Sequence, residues 1–328
     1  MRYTGLLAVL ASVAVLAQPA GATTTDFTGF APGTVNGQGG WTVEDQWGNT
    51  SWGDDPAQYD QEVMDDGSGN MVWRASNAVT SGGLSAQPFS PVAPQVAGET
   101  GAALWNDRGP DHTSPQTPPN PGAFATTKTF YGAFDFRSAT GGPQPDLDLS
   151  VSPSAKQFDG RMTYVELYDT GSGIDVYFYE TGHTGDVWGA SSQFLLVAPG
   201  LSYTDVHHVE ICLEFVDGLA DVGGLLYGND IVQIFVDGAL VHTGSSWETY
   251  YYGTPTFGLT SDDKRAVDSL TFAMRGTAVT STLGGGYFFD NVIVDNQPCG
   301  GPPIPEPVTL AGLVLGVGSL VGYVRRRR

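Results

Sequence analysis

Two glutamates on one predicted strand are the residues best placed to do chemistry. Glu210 and Glu214 stand four positions apart, so the alternation of side chains along a strand places both on the same face. Retaining hydrolysis of a glycosidic bond uses two carboxyl groups about 5 Å apart, but four strand steps separate these two backbones by about 13 Å. The two side chains would have to lean together. We therefore interpret them as part of a solvated sheet face, and we predict no catalytic residue.

Other reactive residue types lack the spacing that catalysis requires. Glu166 and Asp169 are three positions apart, so on a regular strand they face opposite sides. No serine lies in a Gly-x-Ser-x-Gly elbow, and the pair His207-His208 fits a strand entrance better than a metal site. These residues predict a protein that is not an enzyme.

Aromatic residues offer a different chemistry, because sugars stack their apolar faces on such rings. Neighbouring Asp or Asn side chains would hydrogen-bond the sugar hydroxyls. Trp41 and Trp73 are expected in the core instead. The candidates for carbohydrate binding are Trp188, Trp247, Tyr250, Tyr251 and Tyr252. The alternative is that these five side chains only pack in the core or fill space within loops.

Short alternating strands must position these residues. His208 to Phe215 carries apolar residues at every second position, and Asp230 to Thr243 folds back through Asp237-Gly238, a strong hairpin signal. We expect a first strand over Asp26 to Phe30 and a last strand over Tyr287 to Asp295. The sequence shows no convincing amphipathic helix. Evenly spaced short strands of this kind predict an all-β fold, an antiparallel sandwich.

The chain begins with a predicted secretory signal peptide. Met1 to Ala22 has one arginine, an apolar stretch and the small-x-small cleavage site Ala20-Gly21-Ala22. The mature protein is therefore expected to begin near Thr23, outside the cytoplasm. Residues 23–300 are long enough for one large β domain, and one domain is predicted there.

Residues 301–328 are predicted to be a second targeting segment. The uncharged run from Val308 to Val324 has 17 residues, just enough for a short transmembrane helix. It follows Pro305, Glu306 and Pro307, and it is followed by a basic block that holds its end on the cytoplasmic side. That block is Arg325, Arg326, Arg327 and Arg328.

The order of Pro-Glu-Pro, apolar span and Arg block resembles the PEP-CTERM sorting signal. This resemblance implies cleavage near the motif by an exosortase-type membrane protease. It also implies an exported protein that is anchored transiently in the inner membrane and then reaches the cell surface or the extracellular space. An ordinary C-terminal membrane anchor is the alternative.

The charge balance and the two cysteines agree with export. The formal net charge is −21, which repels nucleic acid and anionic lipid and attracts cations. We expect no nucleic-acid partner. In an oxidising compartment Cys212 and Cys299 invite one disulfide, and two free thiols are the alternative. Their spacing does not indicate zinc.

Several stretches of the body resemble concanavalin A-like jelly rolls, which include laminin G-like modules and laminarinase-type glucanases. They are His207-His208-Val209-Glu210, Val232 to Val241, Asp26-Phe27 to Trp41, and Phe288 to Val292. The resemblance implies a jelly-roll sandwich in which the first and last strands lie side by side. One of its sheets is expected to curve into a groove of the kind that often holds sugar.

The same resemblance bears on calcium and on catalysis. Related modules hold an ion between the first and last strands, which implies a calcium site at Asp26 and Asp290. The glucanases carry Glu-x-Asp-x-Glu on their catalytic strand, and Cys212 stands where that pattern has its central Asp. This departure weighs against a glycosidase.

These observations predict an exported cell-surface or extracellular-matrix protein, sorted through its C-terminal signal, that is not catalytic and binds carbohydrate. Its expected partners are the exosortase-type protease, an extracellular polysaccharide and, during sorting, the inner membrane. Two alternatives stay open: a structural surface protein without a ligand, and a divergent glycoside hydrolase of the laminarinase type.

Overall fold

A computed structural model of the chain describes residues 23–44, 59–79, 90–92, 104–105, 129–155, 160–180, 193–216, 220–222, 225–227, 229–247, 266–267, 269–274 and 278–295. The described elements are β-strands and one short 3-10 turn, Thr280–Thr282, so the all-β prediction is confirmed. The strands are β1 Thr23–Thr25, β2 Thr42–Glu44, β3 Gln61–Asp65, β4 Met71–Ala75, β5 Ser90–Val92, β6 Leu104–Trp105, β7 Thr129–Ser138, β8 Asp148–Ala155, β9 Gly160–Arg161, β10 Val165–Asp169, β11 Ile174–Glu180, β12 Gln193–Leu201, β13 His207–Glu214, β14 Ala220–Val222, β15 Leu225–Tyr227, β16 Ile231–Val236, β17 Ala239–Gly244, β18 Ala266–Val267, β19 Ser269–Met274 and β20 Tyr287–Asp295.

The first sheet has eight strands in the order β17-β16-β13-β7-β20-β4-β3, with β1 paired to β20. Its pairings are antiparallel. The strand β1 runs beside β20, with Thr23 opposite Val294 and Thr25 opposite Val292. The expected side-by-side placement of the first and last strands is therefore confirmed.

The second sheet also has eight strands, in the order β12-β11-β10-β8-β19-β5-β2, with β9 paired to β8. Its pairings are antiparallel as well. Two short pairs, β14 with β15 and β6 with β18, form separate two-stranded sheets. Two large antiparallel sheets make the molecule a jelly-roll sandwich, as predicted.

Aromatic rings fill the space between the sheets. Phe272 of β19 lies 5.6 Å from Phe134, 5.1 Å from Phe289 and 5.3 Å from Trp73, measured between ring centroids. Trp41 joins this cluster 5.8 Å from Phe272, and both tryptophans are fully buried, as expected. Burying one large apolar side chain stabilises the fold by about 1.5–3 kcal/mol. These rings close the space between the two sheets.

The predicted hairpin through Asp237-Gly238 is confirmed as β16 and β17, but the strand expected over Asp26 to Phe30 is wrong. Phe27 has φ of 54°, outside the range of an extended strand. The Phe30 amide donates to the Phe27 carbonyl at 3.0 Å and closes a turn. The Phe27 ring lies 5.5 Å from that of Trp41 and is fully buried. Its apolar character therefore reflects a turn packed into the core.

One buried residue, Gln144, ties the two sheets together at one end. The Gln144 side-chain amide donates to Ser138 Oγ at 3.0 Å and to the Gly286 carbonyl at 2.8 Å. Ser138 is the last residue of β7, and Gly286 immediately precedes β20, so both contacts reach the first sheet. The Gly286 amide donates back to Gln144 Oε1 at 2.5 Å. The Gln144 backbone amide donates to Asp169 Oδ2 at 2.6 Å, at the end of β10 in the second sheet. The turn between β10 and β11 is thereby held in position.

Candidate functional site

The outward side of the second sheet gathers tyrosines, carboxylates and exposed apolar side chains on neighbouring strands. Along β11, Ile174, Val176 and Phe178 are buried in the core, so the residues between them point outwards. The strand β10 alternates in the same way. The outward set, which we call the tyrosine face, consists of Tyr164, Glu166, Tyr168, Asp175, Tyr177, Tyr179, Phe194 and Leu196. Tyr164, which immediately precedes β10, is covered by its neighbours and is only 3% exposed.

Strand register sets the tyrosine face in rows. Tyr177 lies opposite Glu166 on one side and Leu196 on the other. In the adjacent row Tyr179 lies opposite Phe194. Side chains directly opposite each other on one face of an antiparallel pair have Cβ atoms about 4.5–5.5 Å apart. Residues that are distant in sequence therefore form one continuous surface.

An aromatic cluster forms one end of this surface. The rings of Tyr164 and Tyr179 stack 5.1 Å apart with an interplanar angle of 6°. Trp247 meets both rings edge to face, at 5.7 and 5.5 Å, and its backbone amide donates to the Met162 carbonyl at 2.6 Å. Phe194 packs 4.8 Å from Tyr179 and is 46% exposed. Trp247, a predicted binding residue, thus belongs to a cluster that reaches the surface.

Carboxylates hold the hydroxyl groups of the two remaining tyrosines. The Tyr168 hydroxyl donates to Asp146 Oδ1 at 2.8 Å, and this hydrogen bond, with burial, raises the pKa of Tyr168 to about 12. The Tyr177 hydroxyl donates to Asp175 Oδ2 at 3.3 Å. Burial, followed by the charges of Asp175 and Glu166, raises the pKa of Tyr177 above its usual value. Both phenols therefore stay protonated at neutral pH.

This arrangement has the parts of a sugar-binding surface. Tyrosine rings provide flat apolar area for the C–H face of a pyranose, and the carboxylates accept hydrogen bonds from its hydroxyls. Tyr164, Tyr168, Tyr177 and Tyr179 were not predicted as binding residues. The alternation of apolar residues with Asp175, Tyr177 and Tyr179 along β11 was a usable signal, but it did not reveal which strands would stand beside it.

Most of the other predicted site residues lie outside the described residues. The carbohydrate candidates in that group are Trp188, Tyr250, Tyr251 and Tyr252, and the sorting residues are Pro305, Glu306, Pro307, Arg325, Arg326, Arg327 and Arg328. The signal peptide and Cys299 are also outside, so the disulfide with Cys212 stays a prediction. Cys212 itself is buried on β13. Within the described ranges, the structure contains no helix long and apolar enough to cross a membrane.

The two glutamates considered for catalysis lie on the first sheet, on the side facing away from the core. Glu214 is exposed, and Glu210 Oε2 accepts a hydrogen bond from the Tyr131 hydroxyl at 2.9 Å. Asp169 and Glu166 face opposite sides of β10, as predicted. Asp169 is fully buried, and its Oδ1 accepts the Tyr203 hydroxyl at 2.8 Å. Asp169 therefore holds the β10–β11 turn, and it does not form a carboxylate pair with Glu166.

The predicted calcium residues lie where the first and last strands meet. Asp290 Oδ2 accepts from Asn70 Nδ2 at 2.9 Å, and Asp26 Oδ1 accepts from the Thr28 amide at 3.0 Å. Burial is the first cause that raises the pKa of Asp290, and repulsion from Asp135 and Asp26 adds to it. In the described part of the chain, no three His, Cys, Asp or Glu side chains converge as metal ligands. Calcium bound there would need further oxygens from backbone or water.

His208, next to this acidic region, provides a pH-dependent contact. Its Nδ1 lies 2.6 Å from Asp135 Oδ1, and this hydrogen bond raises the pKa of His208 above 6.5 even though burial opposes the shift. Glu210 and Asp237 also face it and raise its pKa further. A histidine whose pKa is higher in the folded state stabilises the fold fully at pH values below its pKa in the unfolded state. This stabilisation is lost as pH rises through its pKa in the folded state.

We expect the His208 pKa, measured by NMR titration of the ring protons, to lie above 6.5 and to fall in an Asp135→Asn variant. Stability should decrease between roughly pH 6 and pH 8 more steeply in the parent than in His208→Gln. Denaturant unfolding at several pH values measures the slope. A His208 pKa at or below its usual value would contradict the contact with Asp135.

Comparison with known proteins adds similarity of shape alone. No family model matches the chain, and no curated protein matches it. Alginate lyase Aly36B has 13% identity and a TM-score of 0.45, covering 84% of this chain and 96% of its own. Alginate lyase vAL-1 from Chlorella virus has 11% identity and a TM-score of 0.41, covering 83% and 98%. Lectin II from Ulex europaeus has 11% identity and a TM-score of 0.37, covering 84% and 97%. At values this low, no ligand or activity follows from these similarities.

Proposed function

We propose that this protein is an exported, non-catalytic surface protein that binds extracellular polysaccharide through the tyrosine face. One observation carries the proposal: on one outward sheet face, half-buried tyrosines donate hydrogen bonds from their hydroxyls to neighbouring carboxylates. The apolar side chains at its edge support it, since Phe194 is 46% and Leu196 49% exposed. Apolar side chains exposed next to one another are typical of binding surfaces.

Export rests on the sequence signals at both ends. We propose that the protein is sorted through its C-terminal signal by an exosortase-type protease and is anchored transiently in the inner membrane. Cell fractionation tests this proposal. Recovery of the intact Arg-ended chain from the cytosol would contradict it.

A glycan array probed with the full chain tests carbohydrate binding, and affinity electrophoresis in polysaccharide gels confirms any hit. We expect retention on at least one polysaccharide and loss of retention when the tyrosine face is altered. A chain that binds no glycan would instead be a structural surface protein without a ligand. The array therefore separates these two functions directly.

Catalysis is the remaining alternative, because Glu210 and Glu214 share one outward face of the first sheet. We propose that they are not catalytic, since the tyrosine face lies on the other sheet. Release of reducing sugar from a glucan, measured alongside Glu210→Gln and Glu214→Gln, tests this proposal. An activity that the double substitution abolished would show that the protein is a glycosidase.

We also propose that calcium binds between Asp26 and Asp290. Ca²⁺ at saturating concentration is then expected to raise the melting temperature by roughly 5 °C, because a ligand that binds only the folded state stabilises it. Asp290→Asn should remove this gain. Asp205→Asn, the same chemical change at an exposed position, should keep it. Differential scanning calorimetry with and without Ca²⁺ measures both, and an unchanged gain in Asp290→Asn would rule out this location.

A further inference from the structure

Around Tyr168 and Tyr177, the polar groups of the tyrosine face can accept hydrogen bonds, but both hydroxyl protons are already committed. The Tyr168 hydroxyl already donates to Asp146, and the Tyr177 hydroxyl already donates to Asp175. Ionised carboxylates only accept, and a tyrosine oxygen whose proton is committed can only accept further. A ligand satisfies such a surface when it brings donors. Sugar hydroxyls are donors, whereas carboxylate and sulfate groups are acceptors only.

The charges around the tyrosine face also disfavour an anionic ligand. Asp148 lies opposite Tyr168 on β8, and Glu166 and Asp175 lie within the face itself. Arg161 stands at the margin, with its guanidinium 5.6 Å from the centre of the Tyr164 ring, and it is the one basic side chain in the described part of the second sheet. The chain as a whole carries a net charge of −21. Polyanions are therefore repelled both at the face and at longer range.

Resting on the function proposed above, we infer that the tyrosine face selects neutral polysaccharides and rejects polyuronates and sulfated glycans. The rings stack on the sugar, and the carboxylates accept its hydroxyl protons. A uronate carboxylate placed in the same position would set oxygen against oxygen without a shared proton. Selection thus follows from the commitment of the Tyr168 and Tyr177 hydroxyl protons to carboxylates and from the negative charge of the surface together.

Isothermal titration calorimetry with the full chain tests this selection, using neutral gluco-, manno- and galacto-oligosaccharides against alginate oligosaccharides of matched length. No divalent cation is added, so that metal bridging does not contribute. We expect the best neutral ligand to bind at least about tenfold more tightly than the polyuronate at low salt. Added salt should strengthen polyuronate binding and leave the neutral ligand unchanged, because salt screens repulsion between charges.

Glu166→Gln removes one negative charge from the face and introduces an amide that can donate. This substitution should reduce the ratio of the dissociation constants of the polyuronate and the neutral ligand by roughly threefold. Glu214→Gln makes the same change on the outward side of the first sheet and should leave this ratio of dissociation constants unaltered. Equal effects of the two substitutions would overturn the assignment of selectivity to the tyrosine face.

The remaining outcomes separate the inference from the function on which it rests. Polyuronate binding as tight as that of the neutral ligand would overturn the inference and leave carbohydrate binding intact. Absence of binding to every oligosaccharide would overturn the proposed function, and the inference would fall with it.

Discussion

Replacement of Tyr177 by alanine is expected to weaken polysaccharide binding about tenfold or more. Tyr177 lies in the middle of its row, between Glu166 and Leu196, so a sugar that stacks on the face covers this ring. Loss of one aromatic stacking surface costs about 1.5–2 kcal/mol, which corresponds to a factor of ten or more in the dissociation constant. Calorimetry or affinity electrophoresis measures the change.

Two further variants show whether the effect is local and which part of the side chain causes it. Tyr131 is a half-buried tyrosine on the outward side of the first sheet whose hydroxyl also donates to a carboxylate, that of Glu210. Tyr131→Ala should therefore leave the affinity unchanged. Tyr177→Phe should keep most of the affinity, because the ring remains. An alanine variant at Tyr177 that binds as tightly as the parent would place the ligand elsewhere.

Replacement of Gly286 by alanine is expected to destabilise the fold by about 4 kcal/mol or more. Its φ of +100° is strained for any residue with a side chain, and a Cβ there would stand 2.0 Å from the Ala75 carbonyl oxygen and 2.9 Å from Ser76 Cβ. A carbonyl in a paired strand cannot move aside without breaking its ladder. Backbone strain of about 1–3 kcal/mol adds to the clash. Denaturant unfolding of the full chain measures the loss.

Gly284 provides a matched control two positions away. It also has a positive φ, +75°, but a Cβ there would meet nothing within 4 Å. Gly284→Ala should therefore cost only the backbone strain, about 1–2 kcal/mol. Equal losses in the two variants would show that strain alone matters and that the contact between Gly286 and Ala75 does not. The Gly286→Ala substitution would also disturb Gln144, whose side chain forms hydrogen bonds with both the amide and the carbonyl of Gly286.

Much of the fold could be predicted from local patterns. The alternation in β13 and the Asp237-Gly238 turn identified strands and a hairpin, because side-chain direction in a strand repeats every two residues and a two-residue turn needs particular backbone angles. The same reasoning failed at Asp26 to Phe30, where a positive φ at Phe27 is invisible in the sequence. Burial of Trp41 and Trp73 was also predicted, and both prove fully buried.

The candidate site was less accessible to such reasoning. Trp247 was selected because of its residue type, but its neighbours are Tyr164, just before β10, and Tyr179 of β11, far away in the chain. Neither tyrosine stood out locally, since each is one polar aromatic in an alternating strand. Glu210 and Glu214 stood out by their spacing, yet they lie on the other sheet from this cluster.

What the sequence determined by itself was local: the strand periodicity, the hairpin turn, the acidic charge and the two predicted targeting segments. The tertiary structure alone decided that β10, β11 and β12 stand side by side with Tyr177 between Glu166 and Leu196. The physical reason is that register depends on pairing between distant strands, and a shift of one residue would turn every side chain to the opposite face. The composition of the surface is therefore set by long-range pairing, which no local pattern encodes.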